Sequence, residues 1–349
     1  NYNWFAKSGK KEFKKKLLNS LSKQIKIQEL NFNNKKNIQN IPLILKSIII
    51  GNIFLFSDTS KIDFFLNKLL HYVEKNILMD GGHISRCPLK QINLLRNLIE
   101  LRAAIASIPE INTKKLHSKV NLLSNYFKMF CMPDNSFGYF NGGSLIQQSK
   151  ILETLKRLGS NFQKFQIANE SGYAKIRNKD STLLIDLGQK KEDINYSNFI
   201  NKASIGSFEL FYKKFKLVTN LGDIPNAKQK NKFDILSSTA AHSALSIDDR
   251  NNLDLSGNRK IKKLNFKSND DRYGTLIEIE HDGYKSLFGI NHTRTIFVSK
   301  NGLDIRGEDF LKYLINYALD KCQEDLNFLN ERALKEEEQL PKEKRNELS

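Results

Sequence analysis

The sequence predicts an α+β, multidomain fold: a helical part first, an antiparallel β-sandwich second and a helical, charged tail last. Three observations carry this expectation. Apolar residues recur at helical spacing up to about residue 158, short alternating segments parted by turn residues follow Gly159, and helical spacing returns from about Phe310. The expected divisions are 1–159, 160–309 and 310–349.

The helical part rests on four segments. Over 62–79, Ile62, Phe65, Leu66, Leu69, Leu70 and Val73 share one face, and Asp80–Gly81–Gly82 ends the run. Over 89–108, Leu94, Leu95, Leu98 and Leu101 repeat the spacing before Pro109. Over 116–132, Leu122, Leu123, Tyr126 and Met129 do so before Pro133, and 145–158 closes at Gly159. Successive helices joined by short loops build a bundle or a toroid.

After Gly159, segments 162–167, 173–177, 182–187, 208–219, 242–247, 275–280 and 295–298 are rich in β-branched and aromatic residues. Gly188, Asn220–Leu221–Gly222–Asp223, Asp282–Gly283 and Asn301–Gly302 mark turns between them. Many short strands without intervening helices indicate a sandwich. In the tail, Leu311, Leu314, Leu319, Leu326 and Leu329 predict a helix over about 311–335, outside the sandwich, before a charge run at Lys335–Glu336–Glu337–Glu338.

Composition narrows the function classes. With 349 residues the chain can bury two ordinary cores, and 40% hydrophobic with 10% aromatic residues excludes a disordered chain. Cys87, Cys131 and Cys322 are too few and too scattered for a disulfide framework or a zinc ribbon. The net charge of +18 suggests nucleic acid at first sight. Lysine and asparagine are spread along the whole chain, however, as in Asn33–Asn34–Lys35–Lys36–Asn37, which reads as a general compositional bias. The same field would gather an acidic polysaccharide, so nucleic acid is not the expected partner. No membrane span is expected: the apolar stretch 41–56 is short, carries Lys46 and contains Pro42 and Gly51. The chain starts at Asn1 without a methionine, so the lack of a leader says nothing about compartment.

The densest motif is Asp80–Gly81–Gly82–His83–Ile84–Ser85–Arg86–Cys87–Pro88. Its glycines permit a tight turn, and His83, Ser85 and Arg86 then project from one loop on a helical scaffold, a common site of chemistry. An ordinary polar helix connection is the plainer account. Thr239–Ala240–Ala241–His242–Ser243–Ala244 sets His242 among small residues at the expected start of a strand, leaving room for a ligand; a satisfied core histidine is the plainer account. His281–Asp282–Gly283–Tyr284 and His292–Thr293–Arg294 read as a hairpin whose polar side chains face outward. A metal held by His281, Asp282 and His292 is conceivable, but nothing fixes a ligand geometry, and none is assigned. In Asn135–Ser136–Phe137–Gly138–Tyr139–Phe140–Asn141–Gly142–Gly143, Tyr139 is a candidate proton-transfer phenol and Asn141 a candidate carboxylate clamp, with ordinary turn packing equally open. His71 and His117, on helices, are expected to be structural. Phosphate-cradling glycine loops, His-Glu-x-x-His and Gly-x-Ser-x-Gly are absent from the sequence.

Together these motifs resemble bacterial heparinase II/III-type polysaccharide lyases. The Asp80–Pro88 residues look like that family's Asp-Gly-Gly-His-x-Ser-Arg-x-Pro signature, Phe140–Asn141–Gly142 its Phe-Asn-Gly turn, and Ala241–His242–Ser243–Ala244–Leu245 the strand that opens its C-terminal domain. The resemblance implies a partial (α/α) toroid on an antiparallel β-sandwich with a cleft between them. It implies β-elimination of a uronic-acid polysaccharide, hence a carbon–oxygen lyase of the periplasm or cell envelope. Such chemistry must neutralise the uronate carboxylate and move two protons. By resemblance, His242 is the base and His83 the carboxylate-binding or proton-transfer group, with Tyr139 the nearest candidate phenol. Arg86 and Asn141 are expected as carboxylate clamps, and His292 and Arg294 as further substrate contacts. No cofactor is required by this reading, with a divalent metal left open. As a family member the chain is expected to be incomplete at both ends. The same fold without catalysis, serving as a carbohydrate-binding or scaffold protein, is the main alternative.

Overall fold

The structure, a computed structural model, describes residues 11–33, 40–159, 161–188, 202–223, 235–256 and 261–313, with Gln323, Leu326 and Asn327. Helices α1 (Lys11–Asn33), α2 (Ile41–Gly51), α3 (Thr59–Asn76), α4 (Pro88–Ile105), α5 (Lys114–Phe130) and α6 (Gln148–Leu158) come first. A π-helical turn, Asn52–Phe56, extends α2. Two of these helices escape periodicity. In α1 lysines dilute the apolar face, and in α2 the residues that argue against a membrane span have local uses: Pro42 sits in the first turn, where it has no hydrogen bond to lose, and Gly51 meets the Ile25 side chain of α1. No helix among the described residues is long and apolar enough to cross a membrane. Helix α3 is capped by Asp58, whose carboxylate accepts from the Lys61 amide at 3.0 Å. It stops at Asn76, earlier than its apolar run suggests, because Ile77 turns back to bridge His83. Helix α4 buries residues around most of its girth and is the centre of the helical part.

Nine strands follow among the described residues. The first sheet has the order β1 (Phe165–Ala168), β2 (Tyr173–Arg177), β3 (Ser181–Asp186), β4 (Phe208–Tyr212) and β5 (Phe215–Val218), all antiparallel. The second has β6 (Leu264–Asp270), β7 (Gly274–His281), β8 (Ile290–Ser299) and β9 (Ile305–Tyr313), with a short helix α7 (Lys285–Phe288) between β7 and β8. Strand alternation splits the first sheet between two cores. Ala168, Tyr173, Leu184 and Phe211 join the helical core, while Ala174, Ile176, Leu183, Ile185 and Leu210 pack against Ile277, Ile279, Ile296 and Val298 of the second sheet. The molecule is therefore layered, helices on sheet on sheet, and β3 is buried along its whole length.

Three expectations need correction. The segment 242–247 is not a strand: a 3₁₀ turn, Thr239–Ala241, leads into a loop. Small polar side chains there capture backbone groups, as when Thr239 Oγ1 donates to the Ala203 carbonyl at 2.8 Å, and so replace a ladder. The segment 208–219 is a hairpin rather than one strand. The helix expected from 311 begins too early, since Phe310 and Leu311 belong to β9 and Leu311 pairs with His292. Ile305, Gly307, Asp309, Leu311 and Tyr313 occupy alternate positions there, and the leucine spacing that looked helical starts inside a strand. Residues 314–335 lie outside the described residues except for Gln323, Leu326 and Asn327, which are helical.

Candidate functional site

The helical part and the first sheet meet along a polar seam that begins at Asp80. Its carboxylate accepts from the Gly82 amide at 2.9 Å and from the Glu170 and Ser171 amides at 3.0 and 2.7 Å, tying the loop to the β1–β2 turn. Gly81 adopts φ +89°, and a Cβ there would stand 2.6 Å from the Leu122 carbonyl oxygen, so glycine is required. His83 is buried, and its Nδ1 accepts from the Ser85 amide at 3.1 Å and lies 2.8 Å from Ser85 Oγ. That network assigns the ring proton to Nε2. Burial, reinforced by the charge of Lys90, lowers the His83 pKa to about 4.

Arg86 turns inward at φ +53°. It donates to the Ser171 carbonyl at 2.7 Å and the Gly172 carbonyl at 3.1 Å, pairs with Asp186, and stacks 4.5 Å from the Tyr173 ring centre. Asn141 donates through Nδ2 to the Tyr173 hydroxyl at 2.6 Å. Both expected carboxylate clamps thus converge on Tyr173, and the carboxylate that Arg86 holds belongs to this chain.

Further along the seam, the half-buried Tyr139 donates its amide to Glu209 at 3.0 Å, and Lys216 Nζ lies 3.7 Å from its ring centre. Burial raises the Glu209 pKa. A Cβ on Gly222 would touch the Tyr139 ring. The Gly222 carbonyl accepts from Lys202 Nζ at 2.8 Å, and Asp223 pairs with the same ammonium at 2.9 Å. The Asp223 amide donates to Ser144 Oγ at 2.6 Å, closing this end of the seam.

His242 stands beside Lys202. It is 8% exposed, and both ring nitrogens are enclosed without a partner of normal hydrogen-bond geometry. Burial first and the Lys202 charge second lower its pKa to about 3, against a small opposing effect of the Leu236 carbonyl. Its backbone is held by the next residue: the Ser243 amide donates to Asn220 Oδ1 at 3.1 Å, and Ser243 Oγ bonds both the amide and the carbonyl of Phe208.

The His281–His292 pair faces the interior, not outward as the hairpin reading expects, because both occupy inward positions of β7 and β8. His281 Nε2 lies 2.9 Å from His292 Nδ1, and His292 Nε2 lies 2.8 Å from Asp309 Oδ1. Burial, then the neighbouring His292 and Arg294, lowers the His281 pKa to about 3. Arg294 clamps both oxygens of Asp309, at 2.7 and 2.8 Å, and donates to the Gly206 and Ser243 carbonyls at 2.8 and 2.6 Å. These bonds of Arg294 and Asp309 hold its salt-bridged carboxylate well below the usual range, against a burial cost that would raise it. Among the described residues no cluster of His, Cys, Asp and Glu is disposed to hold a metal ion.

The structure therefore joins His292 and Arg294 to each other and to the loop of His242, and joins Arg86 to Asn141 through Tyr173. His83 bonds Ser85 and His242 stands beside Lys202, and no contact links their rings among the described residues. Sequence reasoning missed Asp186, Lys202, Tyr173 and Asp309. For Asp309 a signal existed, the two-residue alternation of β9; the others become visible only once the strands are paired.

Comparison with known proteins accounts for this architecture. Residues 163–315 match the family model described as heparinase II/III-like, C-terminal. FtsZ-localized protein C of Caulobacter vibrioides is 28% identical over 269 residues, covering 74% of this chain and 45% of that protein. Among solved structures, the heparinase III BT4657 gene product superposes with a TM-score of 0.67 at 12% identity over 82% of this chain and 48% of that one. The heparan sulfate lyase HepC from Pedobacter heparinus gives 0.61 at 13% identity, over 82% and 47%. The chain thus spans about half the length of these relatives. At such identities the superpositions speak for the fold alone, a helical region followed by antiparallel sheets, and the family-model match assigns residues 163–315 a heparinase II/III-like C-terminal domain.

Proposed function

We propose that this chain is a non-catalytic member of the lyase fold, a carbohydrate-binding scaffold whose ligand is an acidic polysaccharide met by Lys216, Tyr139 and His242. One observation carries the reading. The groups that would neutralise a substrate carboxylate are already engaged: Arg86 by Asp186 and two carbonyls, Asn141 by Tyr173. Without that neutralisation, proton abstraction beside a uronate lacks its main electrostatic support. The net charge of +18 supports an acidic ligand. A relative named for localisation to FtsZ fits a fold that serves an assembly, and we extend that role to this chain as part of the proposal.

Elimination is the second reading, favoured by His242, whose enclosed imidazole beside Lys202 has ring nitrogens without a normal hydrogen-bond partner and so the make-up of a base. Incubation with a panel of uronate polysaccharides separates the two. The expected result is no ultraviolet-absorbing unsaturated product, together with salt-sensitive binding that weakens at least about tenfold in Lys216→Ala. Product formation that disappears in His242→Ala would establish the lyase instead.

A further inference from the structure

We infer that Arg294 and Asp309 are positioning residues for His242, acting through the Ser243 carbonyl across the space between the second sheet and the loop. This rests on the reading of His242 as a ligand-contacting group. The link is continuous. Asp309, on β9, holds the guanidinium of Arg294, on β8, by a two-point clamp. The remaining Nη1 then points at the Gly206 and Ser243 carbonyls, which lie on separate loops. Ser243 follows His242 directly, so the Arg294 bond fixes the Ser243–Ala244 peptide, one residue beyond the imidazole, while Asn220 holds the His242–Ser243 peptide through the Ser243 amide and Phe208 holds the Ser243 hydroxyl.

The histidine pair sets the clamp's own geometry. The Gly283 amide donates to His281 Nδ1 at 3.2 Å, which leaves the His281 proton on Nε2 and makes His292 Nδ1 the acceptor. His292 must then donate from Nε2 to Asp309 Oδ1, the same oxygen that Arg294 Nε uses. Every donor in the chain points toward Asp309. Its carboxylate is the common acceptor that keeps a buried guanidinium turned inward. Replace it with an amide, and Arg294 loses its counter-ion and one acceptor, so it is free to turn toward water and release Ser243. The groups facing His242 itself, the Lys202 ammonium with its Asp223 partner and the Leu236 carbonyl, stay in place in such a variant.

Imidazole NMR titration of the full chain without ligand tests this, with the His242 signal assigned by His242→Gln. In the unsubstituted protein His242 does not titrate between pH 8 and 5. In Asp309→Asn, and likewise in Arg294→Lys, it titrates within that range, its pKa raised by at least about two units, a hundredfold gain in proton affinity, as water reaches the ring. His83, on the helical side, keeps its profile. The inference is overturned by folded variants with His242 unchanged, by His83 and His242 shifting together, or by loss of the fold in Asp309→Asn, which would mark a purely structural pair. Because no ligand is present, the result is independent of whether a polysaccharide binds.

Discussion

Arg86 shows how one side chain decides between two accounts of a motif. A guanidinium in a loop could meet a ligand carboxylate, but this one is inside, paired with Asp186, which is fully buried and also accepts from Ser204 Oγ at 2.8 Å and the Gly188 amide at 2.8 Å. The pair joins the helical loop to the end of β3. Removing one partner of a buried pair strands the other's charge, a cost of about 3–5 kcal/mol. Asp186→Ala should therefore lower the unfolding free energy by about that amount, read from the denaturant midpoint. A loss below about 1 kcal/mol would mean that Arg86 reaches water and is available to a ligand after all.

Among the elements, the Asp80 loop is the joint on which the helical part rests. Glycine geometry brings it against α5, and a single carboxylate then closes the β1–β2 turn through two amides. Hydrogen bonds to a charged acceptor contribute about 1.5–3 kcal/mol each. In Asp80→Ala the Glu170 and Ser171 amides should exchange with solvent at least about tenfold faster, while amides within β3, buried on both faces, keep their protection. Equal acceleration in β3 would show that the loop holds the whole sheet and not the turn alone.

At the scale of the whole molecule, burial of basic groups sets the response to pH. His83, His242 and His281 have folded pKa values of about 4, 3 and 3, depressed chiefly by burial. Their unfolded value is about 6.5. Between those limits the unfolded chain binds more protons, so stability is full above pH 6.5 and is lost as pH falls toward the folded values, with a slope of up to about 1.4 kcal/mol per unit for each group. Lys175, buried with its ammonium near the carbonyls that end α5, is lowered to about 7 by burial, so its window of rising stability runs from about 7 to the unfolded value of about 10.4. Unfolding free energies at pH 7, 6 and 5 should fall steadily, and His242→Gln should flatten the fall by about a third, its share of three groups. A flat profile would show that the imidazoles are open to solvent.

What the sequence determined alone was the succession of elements. Helical spacing placed α3, α4 and α5, alternation placed β2, β3 and β7, and the Asp80 and His242 motifs gave the resemblance to heparinase II/III proteins before any strand was paired. The reason is local: periodicity records which face of one element is buried, and a tight turn needs its glycines wherever it lies. Which polar side chains are open to a ligand was decided only by the tertiary structure. Arg86 finds its partners 85 to 100 residues downstream, and Arg294 one of its own 88 residues upstream. Arg86 and Asn141 read as clamps because the charge and amide were visible while Asp186 and Tyr173 were not yet neighbours. A polar group is satisfied or free according to how the chain closes on itself, and that closure has no signature in the residues on either side of it.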